Sequence, residues 1–334
     1  MMDRPNIILL TTHDTGQHVS PYGIKTVHTP NCERLASESV LFENSFCTAP
    51  QCSPSRASIV TGRYPHSNGT MGLTHADFAW SLHADEQPVA RLLGDSGYAT
   101  WLLGVQHETH DPHTLGFDHV DVGFTTLLDL PAHIEPLLNQ HDAGRPFLCQ
   151  IGCFETHRPF DRHDTEPDDS LGIYIPPYLK DGPETRDELR KMQGLIRRFD
   201  TGLGQLLDIL DERDLRDNTI LVVTTDHGIA FPRAKGTLFD PGIATMLFVR
   251  WPQRCGGGLR REEMVSNVDI LPTLLDAIGV PCPDRVQGQS FLPLLDGKPY
   301  AERSEVFAEK TFHDCYDPMR CIRTKNHKYI CYFE

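Results

Sequence analysis

The pattern with the most chemical content is CSPSRASIVTG, which begins at Cys52. Its proline and its last glycine stand where the first turn and the end of a helix accept them, so we predict a helix over residues 54–62. Cys52 then lies at a helix N-terminus, where backbone N–H groups and the dipole favour anions, and Arg56 lies one turn further along. A lone cysteine before a helix is more often an inert buried thiol. The complete pattern instead predicts an anion site beside a reactive sulfur.

Two acid–imidazole pairs follow predicted buried strands. His13 and Asp14 come after the first apolar run of the chain, and Asp226 and His227 come after its clearest strand pattern. Each pair alone would be typical of an ordinary turn or helix cap. If both strands are central and parallel, their carboxyl ends bring two carboxylates and two imidazoles together, beside Cys52. This set of ligands predicts a site for a divalent cation.

The elements that must position these residues alternate between strand and helix, which favours one dominant α/β domain in a chain of 334 residues. Strands, or extended segments, are predicted at residues 6–12, 40–46, 98–103, 147–152, 219–225 and 245–249. Helices are predicted at residues 29–36, 54–62, 89–93, 184–213 and 269–278. Residues 159–183 are rich in Asp and Pro and predict a long surface loop near the site entrance.

The end of the chain predicts a pair of strands. Residues 321–324 and 329–332 have strand patterns, and the polar residues 325–327 between them predict a turn. Because the chain stops within this pattern, we expect a C-terminal subdomain that is truncated or very short.

The net charge, the N-terminal residues and the cysteine content predict which partners the protein lacks and where it is located. The formal net charge is -15 and no basic run offsets it, so we expect neither nucleic acid nor a membrane as a partner. The N-terminus has no signal-peptide pattern, and no apolar stretch is long enough to cross a bilayer, which predicts a cytoplasmic protein. The ten cysteines are therefore interpreted as free thiols.

On these motifs the chain resembles the sulfatase family, whose Cys-x-Pro-Ser-Arg signature directs oxidation of the cysteine to formylglycine. The resemblance covers nearly the whole chain and is closest to the heparan N-sulfatase branch in residues 52–73, 226–243 and 316–320. It implies an alkaline-phosphatase-like α/β fold, in which helices flank a central, mostly parallel sheet. We expect a catalytic domain over residues 1–300 and the start of a small C-terminal subdomain over residues 301–334.

The resemblance also implies a nucleophile and a metal site. Cys52, once converted to formylglycine by a separate maturation enzyme, is the expected nucleophile. His13, Asp14, Cys52, Asp226 and His227 are the expected ligands of one divalent metal ion. The family uses Ca²⁺ and usually has Asp and Asn where this chain has His13 and His227. Imidazole ligands suit Mn²⁺ or Zn²⁺, so the identity of the ion stays open.

Four further residues take catalytic roles from the resemblance. Arg56 and Lys235 would stabilise the charge of the sulfate group. His157 would donate a proton to the leaving group, and His107 would be the base that releases sulfate from the covalent intermediate. The family has a Lys where this chain has Val105, two residues before that base.

The expected activity is hydrolysis of a sulfate ester or sulfamate on a small molecule or a sugar. Three alternatives stay open. A formylglycine-dependent phosphonate or phosphodiester hydrolase is favoured by the Asp-His-Gly sequence at residues 226–228 and by Val105. An inactive, sulfatase-like protein that binds anions is favoured by Val105 and the end of the chain. A metal-dependent phosphatase or mutase would leave Cys52 unconverted.

Overall fold

The computed structural model describes residues 4–333. The strands are β1 (Asn6–Thr12), β2 (Val40–Phe42), β3 (Ser45–Phe46), β4 (Ala99–Gly104), β5 (His119–Asp121), β6 (Phe147–Gly152), β7 (Thr219–Thr225), β8 (Ala244–Thr245), β9 (Leu247–Arg250), β10 (Leu259–Arg261), β11 (Val265–Ser266), β12 (Glu305–Phe312), β13 (Tyr316–Thr324) and β14 (Lys328–Tyr332). The α-helices are α1 (Pro30–Glu38), α2 (Cys52–Thr61), α3 (Pro65–Asn68), α4 (Val89–Asp95), α5 (Leu130–Gln140), α6 (Pro183–Glu212), α7 (Asp240–Ile243), α8 (Ile270–Ala277) and α9 (Leu292–Leu295).

Within the described range, eight strands form a central sheet in the order β10-β2-β9-β7-β1-β6-β4-β5. β1 pairs in parallel with β6 and β7, and the pairs β4–β6, β4–β5 and β2–β10 are parallel as well. β9 runs antiparallel to both of its neighbours, β2 and β7. The fold class predicted from the sequence, an α/β fold around a mostly parallel sheet, is confirmed.

Each face of the central sheet carries its own apolar core. Ile8 and Leu10 of β1 join the core beneath α1, α5 and α6, whereas Ile7 and Leu9 join the core beneath α2, α4 and α8. All four side chains are at most 1% exposed. Because successive side chains of a strand point to opposite faces, a strand covered on both faces must be apolar at every position. This is why β1 appears in the sequence as an uninterrupted apolar run.

Two of the predicted strands are each divided between two sheets. The predicted strand at residues 245–249 separates into β8 and β9 at Met246, whose N–H donates to the Gly16 carbonyl at 2.9 Å. The predicted segment at residues 40–46 separates in the same way into β2 and β3, and β11, β3 and β8 form a second, small sheet. The continuous strand predicted at residues 245–249 was wrong, and the strand or extended segment predicted at residues 40–46 is shared between two sheets. An apolar run does not show where the backbone changes its hydrogen-bonding partner.

The C-terminal part of the described chain forms a third sheet, in the order β12-β13-β14. β13 and β14 are antiparallel, which confirms the predicted strand pair, and β12 adds a strand that we did not predict. Apolar side chains of this sheet pack against Phe46 and Met264. The division of the chain between residues 300 and 301 remains our proposal, and it lies just before β12.

Two further expectations concern the loop and the cysteines. The segment between β6 and α6 is largely irregular, as predicted for residues 159–183, but it includes the buried side chains of Phe160 and Asp168. All ten cysteines are free thiols, as expected. No helix within residues 4–333 combines the length and the apolarity needed to cross a membrane.

Ile8→Ala tests the role of β1 in the core. The side chain is fully buried at the centre of the sheet, and its truncation leaves a cavity that is expected to lower the free energy of unfolding by about 2–5 kcal/mol. Urea denaturation followed by circular dichroism measures the change. Leu171→Ala is the matched control, because Leu171 is 54% exposed. Equal midpoints for the two variants would contradict the assignment of β1 as the centre of the core.

Candidate active site

The register between β1 and β7 places the two acid–imidazole pairs side by side. Thr12 pairs with Thr225, so the residues that follow both strands leave the sheet at the same edge. The Asp226 N–H donates to the Thr12 carbonyl at 3.2 Å, and the Thr15 N–H donates to Thr225 Oγ1 at 3.2 Å. The two turns are thus joined directly to each other.

The imidazole of each turn lies next to the carboxylate of the other turn. His13 Nδ1 lies 2.9 Å from Asp226 Oδ2, and His227 Nε2 lies 3.2 Å from Asp14 Oδ1. The backbone N–H of Asp14 also donates to Asp226 Oδ1 at 3.0 Å. All four side chains are fully buried. Each carboxylate therefore has the imidazole of the opposite turn as its neighbour.

These contacts shift the pKa values of the buried groups. Burial and the Arg56 charge act against protonation of His13, but the Asp226 carboxylate outweighs them and raises the pKa of His13 to about 10. Burial would raise the pKa of Asp226, yet the neighbouring imidazoles and guanidinium hold it well below its usual value. The cluster therefore contains ionised carboxylates that depend on positive neighbours.

Cys52 lies at the start of α2 and faces this cluster. The helix begins at Cys52, two residues before the predicted start at Pro54. Cys52 Sγ lies 3.5 Å from His227 Nε2. Burial alone would raise the pKa of the thiol, but the Lys235 charge and hydrogen bonds from nearby imidazoles hold it well below its usual value. By contrast, burial raises the pKa of the Cys47 thiol. Of Cys52 and Cys47, only Cys52 is therefore favoured as a thiolate.

Arg56 and Lys235 each neutralise one carboxylate. Arg56 is 2% exposed, and its Nε donates to Asp226 Oδ2 at 3.1 Å. Its Nη2 also donates to the Thr12 carbonyl at 3.0 Å, which holds the guanidinium against the end of β1. Lys235 Nζ donates to both Asp14 carboxylate oxygens, at 3.0 and 2.8 Å. Cations from two distant parts of the chain therefore stabilise the acidic pair.

His107 and His157 lie beside His13, in the loops after β4 and β6. The His13 ring centroid is 5.0 Å from that of His107 and 5.2 Å from that of His157. Both imidazoles help to hold the pKa of the Cys52 thiol below its usual value. Burial lowers the pKa of His107 to about 4, so its imidazole is neutral at neutral pH. Val105 is a buried apolar side chain and brings no charge to this loop.

All nine site residues predicted from the sequence meet in this one cluster, and three neighbours were not predicted. The Phe154 ring stacks on His13 at 4.5 Å, and the Thr156 hydroxyl donates to the His13 carbonyl. Both follow β6, so the strand-end rule applied to the two acid–imidazole pairs could have found them. The His75 ring lies 4.7 Å from that of His107. No sequence signal marks His75, because only loop packing brings it to the site.

The donor atoms fit a divalent cation. One ligand atom each from His13, Asp14, Cys52 and Asp226 lies within 4.8 Å of the others, and all four residues are buried. Among residues 4–333, His13 Nε2 has no hydrogen-bond partner despite its full burial, whereas Nδ1 lies 2.9 Å from Asp226 Oδ2. The negative potential that raises the pKa of His13 also attracts a cation, which can replace the proton. The residues around Asp14 and Asp226 could therefore hold the metal.

Comparison with known families places this geometry in context. A family model described as Sulfatase matches residues 5–280, and one described as N-sulphoglucosamine sulphohydrolase, C-terminal, matches residues 229–334. An ulvan-active sulfatase of Formosa agariphila is 28% identical over 98% of this chain and 61% of its own length. Human N-sulphoglucosamine sulphohydrolase is 27% identical over 97% of this chain and 72% of its own length. The chain thus spans about two thirds of the length of these relatives.

Solved structures show the same fold. A protein in complex with its substrate D-glucosamine-2-N,6-O-disulfate superposes with a TM-score of 0.83 at 22% identity, over 99% of this chain and 89% of that one. The phosphonate monoester hydrolase of Agrobacterium radiobacter superposes with a TM-score of 0.78 at 21% identity, over 98% of this chain and 87% of that one. At these identities the likeness establishes the fold alone.

Asp14→Asn and Asp226→Asn test the carboxylates as metal ligands. Each substitution keeps the size of the side chain and removes a buried negative charge, so the affinity for a divalent cation is expected to fall by about 10-fold or more. Equilibrium dialysis with elemental analysis measures the binding and identifies the ion. Asp240→Asn is the control, since that carboxylate pairs with Lys328 away from the cluster. Unchanged metal binding in either site variant would refute the assignment.

Proposed function

We propose that this chain, which belongs to the sulfatase family, hydrolyses a sulfate ester or a sulfamate on a sugar or another small molecule. The observation that carries the proposal is the position of Cys52, at the start of a helix and in contact with the buried acid–imidazole cluster. The named relatives act on ulvan and on N-sulphoglucosamine, which supports a sulfated saccharide as the substrate class. The C-terminal family match favours an amino sugar.

Cys52 serves as the nucleophile after a maturation enzyme has oxidised its thiol to the aldehyde of formylglycine. The aldehyde adds water to give a pair of hydroxyls on one carbon. One hydroxyl gives up its proton as its oxygen attacks the sulfur, and the bond between sulfur and the leaving oxygen or nitrogen breaks while the leaving group gains a proton. The second hydroxyl then loses its proton, its oxygen forms the aldehyde again, and the carbon–oxygen bond to sulfate breaks. Free sulfate leaves, and no net change to the protein remains.

Two histidines transfer the protons in these reaction steps. His157, which is half-buried after β6, donates a proton to the leaving group. His107 contacts the Cys52 sulfur and is neutral at neutral pH, because burial lowers its pKa. A neutral imidazole can accept the proton of the second hydroxyl, so His107 acts as the base. Their separate surroundings give the two imidazoles separate roles.

Charge stabilisation comes from Lys235 and Arg56. Lys235 is 16% exposed, so its ammonium group can contact the sulfate oxygens while it neutralises Asp14. Arg56 is held against Asp226 and the end of β1, so it acts chiefly by fixing that carboxylate. Both cations offset the acidic surroundings that would otherwise repel an anionic substrate.

The residues that would hold the metal are Asp14, Asp226, His13 and His227, together with the modified Cys52 side chain. When bound, the cation lowers the pKa of a hydroxyl and offsets the negative charge of the sulfate group. Ca²⁺ is the ion that the family implies. The two imidazoles also suit Mn²⁺ or Zn²⁺, as expected from the sequence.

A phosphonate or phosphodiester hydrolase is the second candidate function. His227 contacts both Cys52 and Asp14, and the buried Val105 supplies no cation next to His107. A site with fewer cations suits a monoanionic diester as well as a sulfate ester. Matched panels of sulfate esters, sulfamates and phosphodiesters separate the two candidates, since the preferred class has the highest kcat/KM.

Mass spectrometry of the tryptic peptide of residues 35–56 tests the nucleophile. We expect a mass deficit at Cys52 that corresponds to conversion of the thiol to the aldehyde, in protein from the native host. Cys47 lies in the same peptide and is the internal control, because after denaturation it should react with an alkylating reagent. Active protein in which both cysteines are alkylated would rule out formylglycine. Inactive protein with both alkylated would favour the anion-binding alternative.

His107→Ala tests the base. Without the imidazole, release of sulfate should slow by about 100-fold or more, because a positioned base contributes a factor of this order. The attack step survives, so a covalent sulfo-enzyme is expected to accumulate and to be visible in the intact mass. His110→Ala, an exposed histidine of the same loop, is the control. Normal turnover in His107→Ala would remove this residue from the mechanism.

A further inference from the structure

Three side chains with soft donor atoms converge at the unmodified Cys52. One ligand atom each from His13, Cys52 and His107 lies within 4.8 Å of the other two. They come from the loop after β1, the start of α2 and the loop after β4. Their positions are fixed by buried elements of the fold, since His13 and Cys52 are at most 2% exposed.

Two ring nitrogens of this trio lack the partners that buried polar atoms normally have. Within the described residues, His107 Nδ1 and His13 Nε2 are buried without a hydrogen-bond partner, whereas His13 Nδ1 lies 2.9 Å from Asp226 Oδ2. A buried nitrogen without a hydrogen-bond partner lowers the stability of the folded protein, and a metal ion that binds its lone pair removes this loss of stability. Phe154 stacks on His13 and limits the freedom of its ring. The structure therefore holds imidazoles oriented for a ligand near the sulfur.

Thiolate and imidazole are the ligands that Zn²⁺ prefers, with bonds of about 2.3 Å to sulfur and about 2.0 Å to nitrogen. Ligand atoms within 4.8 Å of one another can reach such an ion through small side-chain movements. The carboxylates of Asp14 and Asp226 offer harder oxygen ligands within 4.8 Å of the same His13 and Cys52 ligand atoms. Cys52 thus belongs to two overlapping sets of ligands of different chemical preference.

We propose that the chain with an unconverted Cys52 binds a divalent cation that prefers sulfur and nitrogen ligands, such as Zn²⁺. The ligands are Cys52 Sγ, His13 and His107. Oxidation of Cys52 to an aldehyde removes the sulfur, and this site is lost. The inference goes beyond the proposed function, because it concerns the thiol form and holds whether or not the chain hydrolyses sulfate.

Cobalt substitution tests the site directly. The full chain is prepared with Cys52 as a thiol, confirmed by intact mass, stripped of metal, and titrated with Co²⁺. Thiolate ligation produces an intense near-ultraviolet charge-transfer absorption, and Zn²⁺ should abolish it by displacement. Cys52→Ser should remove this absorption, and His107→Ala should weaken Co²⁺ binding by about 10-fold or more. Cys47→Ser is the matched control, a buried cysteine of the same segment, and should keep the wild-type absorption.

Three outcomes would overturn the inference. One is the absence of the charge-transfer absorption in the thiol form, and another is its persistence in Cys52→Ser. The third is its loss in Asp14→Asn but not in His107→Ala, which would place the ion among the carboxylates. If a variant does not fold, alkylation of the wild-type Cys52 with and without Zn²⁺ decides the question, since ligation must slow the reaction. Failure of the proposed hydrolysis would appear in the substrate panel and leaves these readouts unchanged.

Discussion

The site depends on the parallel pairing of β1 with β7. Because Thr12 and Thr225 are in register, the turns after both strands meet at one edge of the sheet. The Asp14 N–H then reaches Asp226 Oδ1 at 3.0 Å. A shift of the register by one residue would turn each side chain to the other face and separate the acid–imidazole pairs. Catalytic geometry in this chain is therefore a consequence of strand pairing deep in the core.

Such a cluster is stable only because its charges are compensated within the fold. Removing two carboxylates from water costs several kcal/mol per ion unless close partners replace the lost hydration. Arg56 comes from α2 and Lys235 from the segment after β7, and each donates to one of the two carboxylates. The protein as a whole is acidic, with a net charge of -15. The buried cations thus offset the negative charge that would otherwise repel an anion from the cluster.

Cys52 connects this charge arrangement to chemistry. As a thiol it lies among imidazoles that suit a soft cation, and as an aldehyde it would leave the oxygen ligands of Asp14 and Asp226 to a hard one. The helix that begins at Cys52 gives the side chain a fixed position in either state. Under the two proposals, oxidation of Cys52 would change which ion and which substrate the site binds.

The sequence by itself indicated the strands that end at the site and the helix after Cys52, because buried parallel strands and helix ends leave local patterns. The nine proposed site residues came from these patterns together with the resemblance to sulfatases. The tertiary structure decided the rest. The direction of β9, the division of residues 40–46 and 245–249 between sheets, the orientation of Arg56 towards Asp226 and the approach of His75 all depend on contacts between distant segments. Local periodicity records which residues are buried, but not which partner each backbone or side chain meets there.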